Sequence, residues 1–357
     1  MKPRYLTSLD LESFTKAARA VPYQHIKSDL LPNIEVWLRR DDLLDPLISG
    51  NKAYKLLYNL IAAREQGAHT LITCGGAWSN HIHATAAAGA RFGFNTIGII
   101  RGERPPELSA TLQDAERFGM KLSFVTREEY RLRNKPEFLS FLGVEEPGIR
   151  YIPEGGANLA GAMGAQLLGK TIEATAPIRF DQLWLACGTG LTLAGLASSI
   201  TSFPICGLEV LKAGDSIRRD AQHWLEALSS PSPACGDKSA GLPIWTPKAP
   251  AKRVSAMDGA NQRVGEGVAM ACHGASRCNI HLINQYHCNG YAKYPKYLQK
   301  FRQAFEHQTN IPLDPIYTAK LMYGLHQEAI SGRIPPGSKI LALHSGGLQG
   351  SRGCQYT

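Results

Sequence analysis

The stretch Ser49-Gly50-Asn51-Lys52-Ala53-Tyr54-Lys55 puts a lysine in what reads as the first turn of a helix. The helix dipole opposes a cation there. The same opposition favours the neutral amine that Schiff-base chemistry requires. A solvated surface lysine is the plainer reading of any single such residue. In Cys74-Gly75-Gly76-Ala77-Trp78-Ser79-Asn80-His81, a strand turns through glycines into a second helix start. Ser79, Asn80 and His81 offer a hydroxyl, an amide and an imidazole beside free N–H groups, which suits a substrate carboxylate. Simple N-capping by Ser79 or Asn80 would use the same residues.

Cys187-Gly188-Thr189-Gly190-Leu191-Thr192 follows an apolar strand and leads into a helix. Glycine lets the backbone approach an anion, and the helix start supplies unpaired N–H groups. A phosphate is the natural ligand, and a tight strand–helix turn is the bland alternative. Gly188-x-Gly190 followed by Glu209 also has part of a dinucleotide fingerprint, but Leu193 stands where the third glycine belongs. Near the end of the chain, Asp314-Pro315-Ile316-Tyr317-Thr318 reads as a helix start, with Tyr317 serving packing or catalysis. His344-Ser345-Gly346-Gly347 ends a strand, and His344 reads as a buried core histidine or a site residue.

These stretches must be carried by regular elements. From about residue 34 strands and helices alternate. Glu35 to Arg39 reads as a strand, and a helix with Asn51 as N-cap runs to Gly67. Thr70 to Cys74 is a buried strand, followed by a helix from Asn80 to Arg91. The strand Thr96 to Ile100, the helix Leu108 to Phe118 and the strand Leu122 to Val125 follow. A small-residue helix ends near Ala174. Leu183 to Ala186 and Ile205 to Leu208 flank another helix. Tyr294 to Phe305 and Asp314 to Ile330 are helices, and Lys339 to Leu343 is a last strand. Alternation of this kind predicts parallel sheets with right-handed crossovers. Ser229 to Arg253 is rich in Pro, Ser, Gly and Lys and reads as a surface excursion.

Composition narrows the class. The 357 residues suggest two domains. With 44% hydrophobic and 19% charged residues the chain is not of the disordered type. The 39 Lys plus Arg against 30 Asp plus Glu give +9, but the charge is scattered, so nucleic acid is not the expected partner. No charged residue lies between Asp181 and Glu209, yet glycines, hydroxyls and Pro204 punctuate that run. A strand, turn, helix and strand explain it better than a membrane span. Met1 to Phe14 has no apolar run of the secretory kind. Cys74, Cys187 and Cys206 sit in or beside apolar runs, as reduced cysteines do. A reduced, cytoplasmic chain is expected. Cys272, His273, Cys278, His281, His287 and Cys288 show no tight zinc spacing, so no metal is expected.

Taken in order, Asn51-Lys52, Gly75-Gly76-x-x-Ser79-Asn80, Glu154-Gly155-Gly156, Gly188-Thr189-Gly190, Asp314-Pro315-Ile316-Tyr317-Thr318 and His344-Ser345-Gly346-Gly347 form a set. It resembles the D-cysteine desulfhydrase and 1-aminocyclopropane-1-carboxylate (ACC) deaminase family of pyridoxal 5'-phosphate (PLP) enzymes. The resemblance runs from about Val36 to Gly347. It implies an α/β chain with the two-domain tryptophan-synthase-β-like fold, fold type II. The larger, PLP-binding domain would comprise 1–45 and 166–357, and the smaller one 46–165. It further implies a homodimer.

The resemblance also implies roles. Lys52 would form the Schiff base with PLP. Gly188, Thr189, Gly190, Leu191 and Thr192 would hold the phosphate, with help from Lys55. Asn80 would bond the ring hydroxyl. Ser79 and His81 would meet the substrate carboxylate. Tyr317 would act beside the substrate, and Tyr291 resembles a second active-site tyrosine. ACC deaminases carry a Glu after the Asp-Pro-x-Tyr tyrosine, facing the pyridine nitrogen. Here Thr318 holds that position, with Ser345 nearby. A neutral hydroxyl makes a weaker electron sink than a carboxylate would. Expelling a β-thiol asks less of the sink than opening a cyclopropane, so β-elimination from D-cysteine is the favoured expectation. ACC deamination is the alternative. A non-catalytic binder of PLP or an amino acid, and a nicotinamide enzyme, are readings of other classes.

Overall fold

The structure, a computed structural model, describes residues 4–142, 146–230, 280–290 and 293–353. Tyr291, Cys272, His273, Cys278 and nearly all of the Ser229 to Arg253 excursion lie outside the described residues. The chain begins with α1 (Leu11–Arg19), β1 (Tyr23–Ile26), β2 (Glu35–Arg39) and α2 (Asn51–Glu65). Then β3 (Thr70–Gly75), α3 (Asn80–Phe92), β4 (Asn95–Arg101), α4 (Ala110–Arg117) and β5 (Met120–Val125) alternate. Two short helices, α5 (Arg127–Arg131) and α6 (Pro136–Phe141), precede β6 (Ile149–Ile152). The series continues with α7 (Leu159–Thr175), β7 (Gln182–Cys187), α8 (Leu191–Ala197), β8 (Ile205–Glu209) and α9 (Ser216–Ser229). It closes with β9 (Ile280–Ile283), α10 (Lys296–Thr309), α11 (Thr318–Ile330) and β10 (Lys339–Leu343).

Two sheets result. One has the order β5-β4-β3-β6 and is parallel throughout. The other has the order β1-β2-β10-β7-β8-β9 and is parallel except at its β1-β2 edge. Every residue of β3, and all but the first of β7, is buried. That is why both read as continuous apolar runs: helices cover both faces of a parallel sheet. The uncharged run from 182 to 208 folds as β7, loop, α8 and β8, and among the described residues no helix is long and apolar enough to cross a membrane.

The strands and helices expected from periodicity are present, with shifted ends. Elements not foreseen are α1, β1, α5, α6, β6, α9 and β9. β1 is a four-residue edge strand with one buried residue, and α5 has five residues, too few for a periodic signal. The N-cap of α2 is Gly50, not Asn51. The cause is the loop after β10, which lies against this helix start. Gly50 has φ +63°, and a Cβ there would sit 1.8 Å from the Ser345 carbonyl oxygen. That carbonyl accepts a hydrogen bond from Asn51 N at 3.2 Å. α11 begins at Thr318 rather than Asp314, because the Asp314 carboxylate folds its own following residues into a turn.

Gly50→Ala should therefore combine a disfavoured backbone with a clash, costing at least about 1–3 kcal/mol. Urea unfolding should show a lower midpoint with the slope unchanged. A midpoint equal to that of the parent would contradict the close approach.

Candidate active site

The C-terminal ends of the strands, where open parallel sheets bind ligands, surround a cavity of about 380 Å³. Residues after β3, β6, β7, β8 and β10 line it, together with Arg101 at the end of β4 and the first turn of α2. Lys52, Lys55, Ser79, Asn80, His81, Gly188, Thr189, Gly190, Thr192, Tyr317 and Ser345, all singled out above, meet here.

The helix that carries Lys52 is pinned from behind. Tyr54 donates to Asp41 Oδ1 at 2.9 Å and accepts from Arg39 Nη2 at 3.2 Å, within the buried Arg39–Asp41 ion pair. Burial pushes the Lys52 amine down to about 8. Lys55, one turn on, is buried too. Desolvation first, and the neighbouring Lys52 charge second, hold its amine well below the usual lysine range. Among the described residues the one carboxylate lining the cavity, Glu154, is paired with Arg133 at 2.7 Å. Two amines thus face a space with no spare negative charge, an arrangement that calls for an anion.

Opposite them lies the Gly188–Thr192 loop. Asn51 Nδ2 donates to Thr192 Oγ1 at 3.2 Å, fixing that hydroxyl beside the lysine helix. At the start of α3, Ser79 accepts from Ile82 N at 3.3 Å as N-cap, so capping and a position in the cavity wall coexist. Asn80 Oδ1 accepts from Gln349 at 3.1 Å, which leaves the amide nitrogen as its donor. Both ring nitrogens of His81 are buried, and neither has a hydrogen bond of good geometry. Desolvation, then Lys52 and Lys55, hold its pKa well below the usual histidine value, and a looser approach to the Pro153 backbone pulls the other way. A neutral imidazole with open nitrogens is a group awaiting a partner.

Tyr317 stands over Gly188, where a Cβ would come within 3.4 Å of the ring. The tyrosine is held by Asp314, whose Oδ1 accepts from Ile316 N at 2.9 Å and Tyr317 N at 2.8 Å. Asp314 also engages Thr318, whose hydroxyl donates to Asp314 Oδ2 at 2.8 Å and accepts from Asp314 N. The side chain of Leu191 is packed into the core, so only its backbone can serve the loop. His344 is a satisfied buried histidine, with Nε2 on the Pro312 carbonyl at 2.8 Å.

Sequence reasoning missed Arg101, whose guanidinium lies over the Tyr130 ring 5.8 Å away. Its signal was its place at a strand end of a parallel sheet. It also missed the supports, Asp314 and Gln349, because support depends on contacts across 269 positions in the case of Gln349 and Asn80. Among the described residues no group of three His, Cys, Asp or Glu could hold a metal.

A phosphorylated aldehyde cofactor fits this wall. An amine near neutrality, a glycine–threonine loop at a helix start, a second buried amine and an imidazole with open nitrogens match its parts. Comparison with known proteins agrees. The chain is 27% identical to an Arabidopsis thaliana protein named bifunctional D-cysteine desulfhydrase/1-aminocyclopropane-1-carboxylate deaminase, mitochondrial, over 97% of this chain and 80% of that one. It is 30% identical to the D-cysteine desulfhydrase of Yersinia pestis over 59% of this chain and 67% of the other. A crystal structure of an ACC deaminase homologue matches with a TM-score of 0.70 at 24% identity, covering 98% of this chain and 93% of that one. Its fold is that of the fold type II PLP enzymes. The profile of the pyridoxal-phosphate dependent enzymes matches residues 19–346, and the chain belongs to that family.

Proposed function

We propose that the protein is a PLP-dependent lyase of small D-amino acids, foremost a D-cysteine desulfhydrase. The observation that carries the choice is the cavity's charge: among the described residues its one carboxylate, Glu154, is paired with Arg133, and Ser345 lines it with a neutral hydroxyl, which we assign to the pyridine nitrogen. The cofactor supplies an electron sink for the bonds at the substrate Cα. Without a carboxylate the sink is moderate, enough when sulfur leaves from Cβ. ACC deamination is the second reading, since the Arabidopsis thaliana relative is named for both activities.

The residues divide the work. Lys52 would hold the cofactor, and its amine would serve as the base at the substrate Cα. Gly188, Thr189, Gly190, Thr192 and the Leu191 N–H cradle the phosphate, and Lys55 balances its charge. Asn80 donates to the ring hydroxyl. Ser79 and His81 seat the substrate carboxylate. Tyr317 moves a proton at the leaving group. The balance is simple: the Cα–H electron pair becomes the Cα=Cβ bond, sulfur leaves with its electrons and takes up protons as sulfide, and water releases ammonia and pyruvate. Tyr291, outside the described residues, is proposed as a further substrate contact.

We place the division between lobes at 1–45 with 166–357 and at 46–165. The strands support it: 70–152 build one sheet, 23–39 and 182–343 the other. Family likeness supports a homodimer. Four free buried cysteines, Cys74, Cys187, Cys206 and Cys288, support a reducing, cytoplasmic setting.

Lys52 yields a pH test. Its amine is neutral above about 8, where an unperturbed lysine would need about 10.4. The rate of PLP attachment to the apo-protein, read as growth of visible absorbance, should rise through pH 8 and then level. Lys52→Ala should lose that absorbance. A rate still climbing near pH 10 would refute the assignment.

The substrate test is a panel of D-cysteine, β-chloro-D-alanine and ACC. Pyruvate, with sulfide from D-cysteine, is expected. 2-Oxobutyrate from ACC alone would select the second reading, and cofactor binding with no turnover would mark a binding protein.

A further inference from the structure

Lys320 lies in α11, three residues after Tyr317, and is 0% exposed. Its ammonium donates to three backbone carbonyls: Val210 at 3.0 Å, His287 at 2.9 Å and Gly290 at 2.8 Å. A lysine has three donors, so all are satisfied. The carbonyls come from two separate segments. Val210 follows β8 and precedes Leu211, which lines the cavity. His287 and Gly290 bracket Cys288 and Asn289, with φ of +54° and +65°. Successive non-glycine residues at positive φ persist only where their surroundings enforce them. Burial pushes the amine's pKa down, while Cys288 and Asp314 pull it up.

Carbonyl oxygens converging on one point are the coordination that a desolvated monovalent cation takes. We propose that Lys320 is a tethered monovalent cation, occupying a carbonyl site that would otherwise bind potassium or ammonium. It ties two pieces of the cavity wall, the Tyr317 turn and the segment after β8, to the 287–290 loop behind them. It touches no substrate and is a positioning residue. The inference rests on the reading of the cavity as the active site.

The test uses the holoenzyme with D-cysteine and measures both turnover and thermal unfolding. Lys320→Ala in tetramethylammonium chloride should lose activity on the order of 10- to 100-fold, as expected when reacting groups are misplaced by about an ångström. Ammonium or potassium chloride at equal ionic strength should restore much of the rate and raise the melting temperature. Lys320→Met, which fills the space without a charge, should be impaired and indifferent to the cation, and the parent enzyme indifferent too. An alanine variant as active as the parent without added cation would overturn the proposal, as would one that neither cation restores in rate or in melting temperature. If the parent itself turns over no substrate, the functional reading fails, while the melting response still decides the cation site.

Discussion

Two lysine amines on one face of α2 share a cavity in which the one carboxylate among the described residues is already paired. Desolvation of a cation is costly, and the described residues offset little of it here. The rest of the chain can be read as the means of sustaining that imbalance. Tyr54 and the buried Arg39–Asp41 pair fix the helix from behind. Gly50 lets the Ser345 carbonyl come against the helix start. A dianionic phosphate at the Gly188–Thr192 loop would supply the missing charge, so cofactor binding and stability are linked.

The remaining walls are held by groups that do no chemistry themselves. Asp314 spends its carboxylate on three backbone N–H groups and the Thr318 hydroxyl, and so aims Tyr317. Gln349 orients Asn80. Arg133 neutralises Glu154 and also lies over the Tyr130 ring, 4.9 Å from its centre. Such supports matter because proton transfer and charge stabilisation depend on tenths of an ångström.

Much of this was legible in the sequence. Lys52, Ser79, Asn80 and the Gly188–Thr192 loop announce themselves because each sits where a strand or loop turns into a helix, and such turns have a residue signature. Parallel strands announce themselves as unbroken apolar runs, as in β3 and β7. The partner of Thr318 was not legible, because a motif records order along the chain, not side-chain direction. Its hydroxyl has a nearer acceptor in Asp314. Arg101 and Gln349 were illegible because their roles arise from contacts between segments far apart in sequence. Lys320 looked like an ordinary helix lysine, since its three carbonyl partners lie 30 to 110 residues away.

The order of strands in the larger sheet has a consequence for how the molecule comes into being. β10, the last strand of the chain, sits between β2 and β7 and so fills the middle of its sheet. A nascent chain emerges from its amino end. Lys52 and the Gly188–Thr192 loop are therefore made long before the strand that joins β2 to β7, and Ser345 closely follows that strand. The sheet stays open along its centre until β10 has been made. Non-local pairings of this kind form slowly, and the unpaired edges of β2 and β7 are exposed to other chains meanwhile.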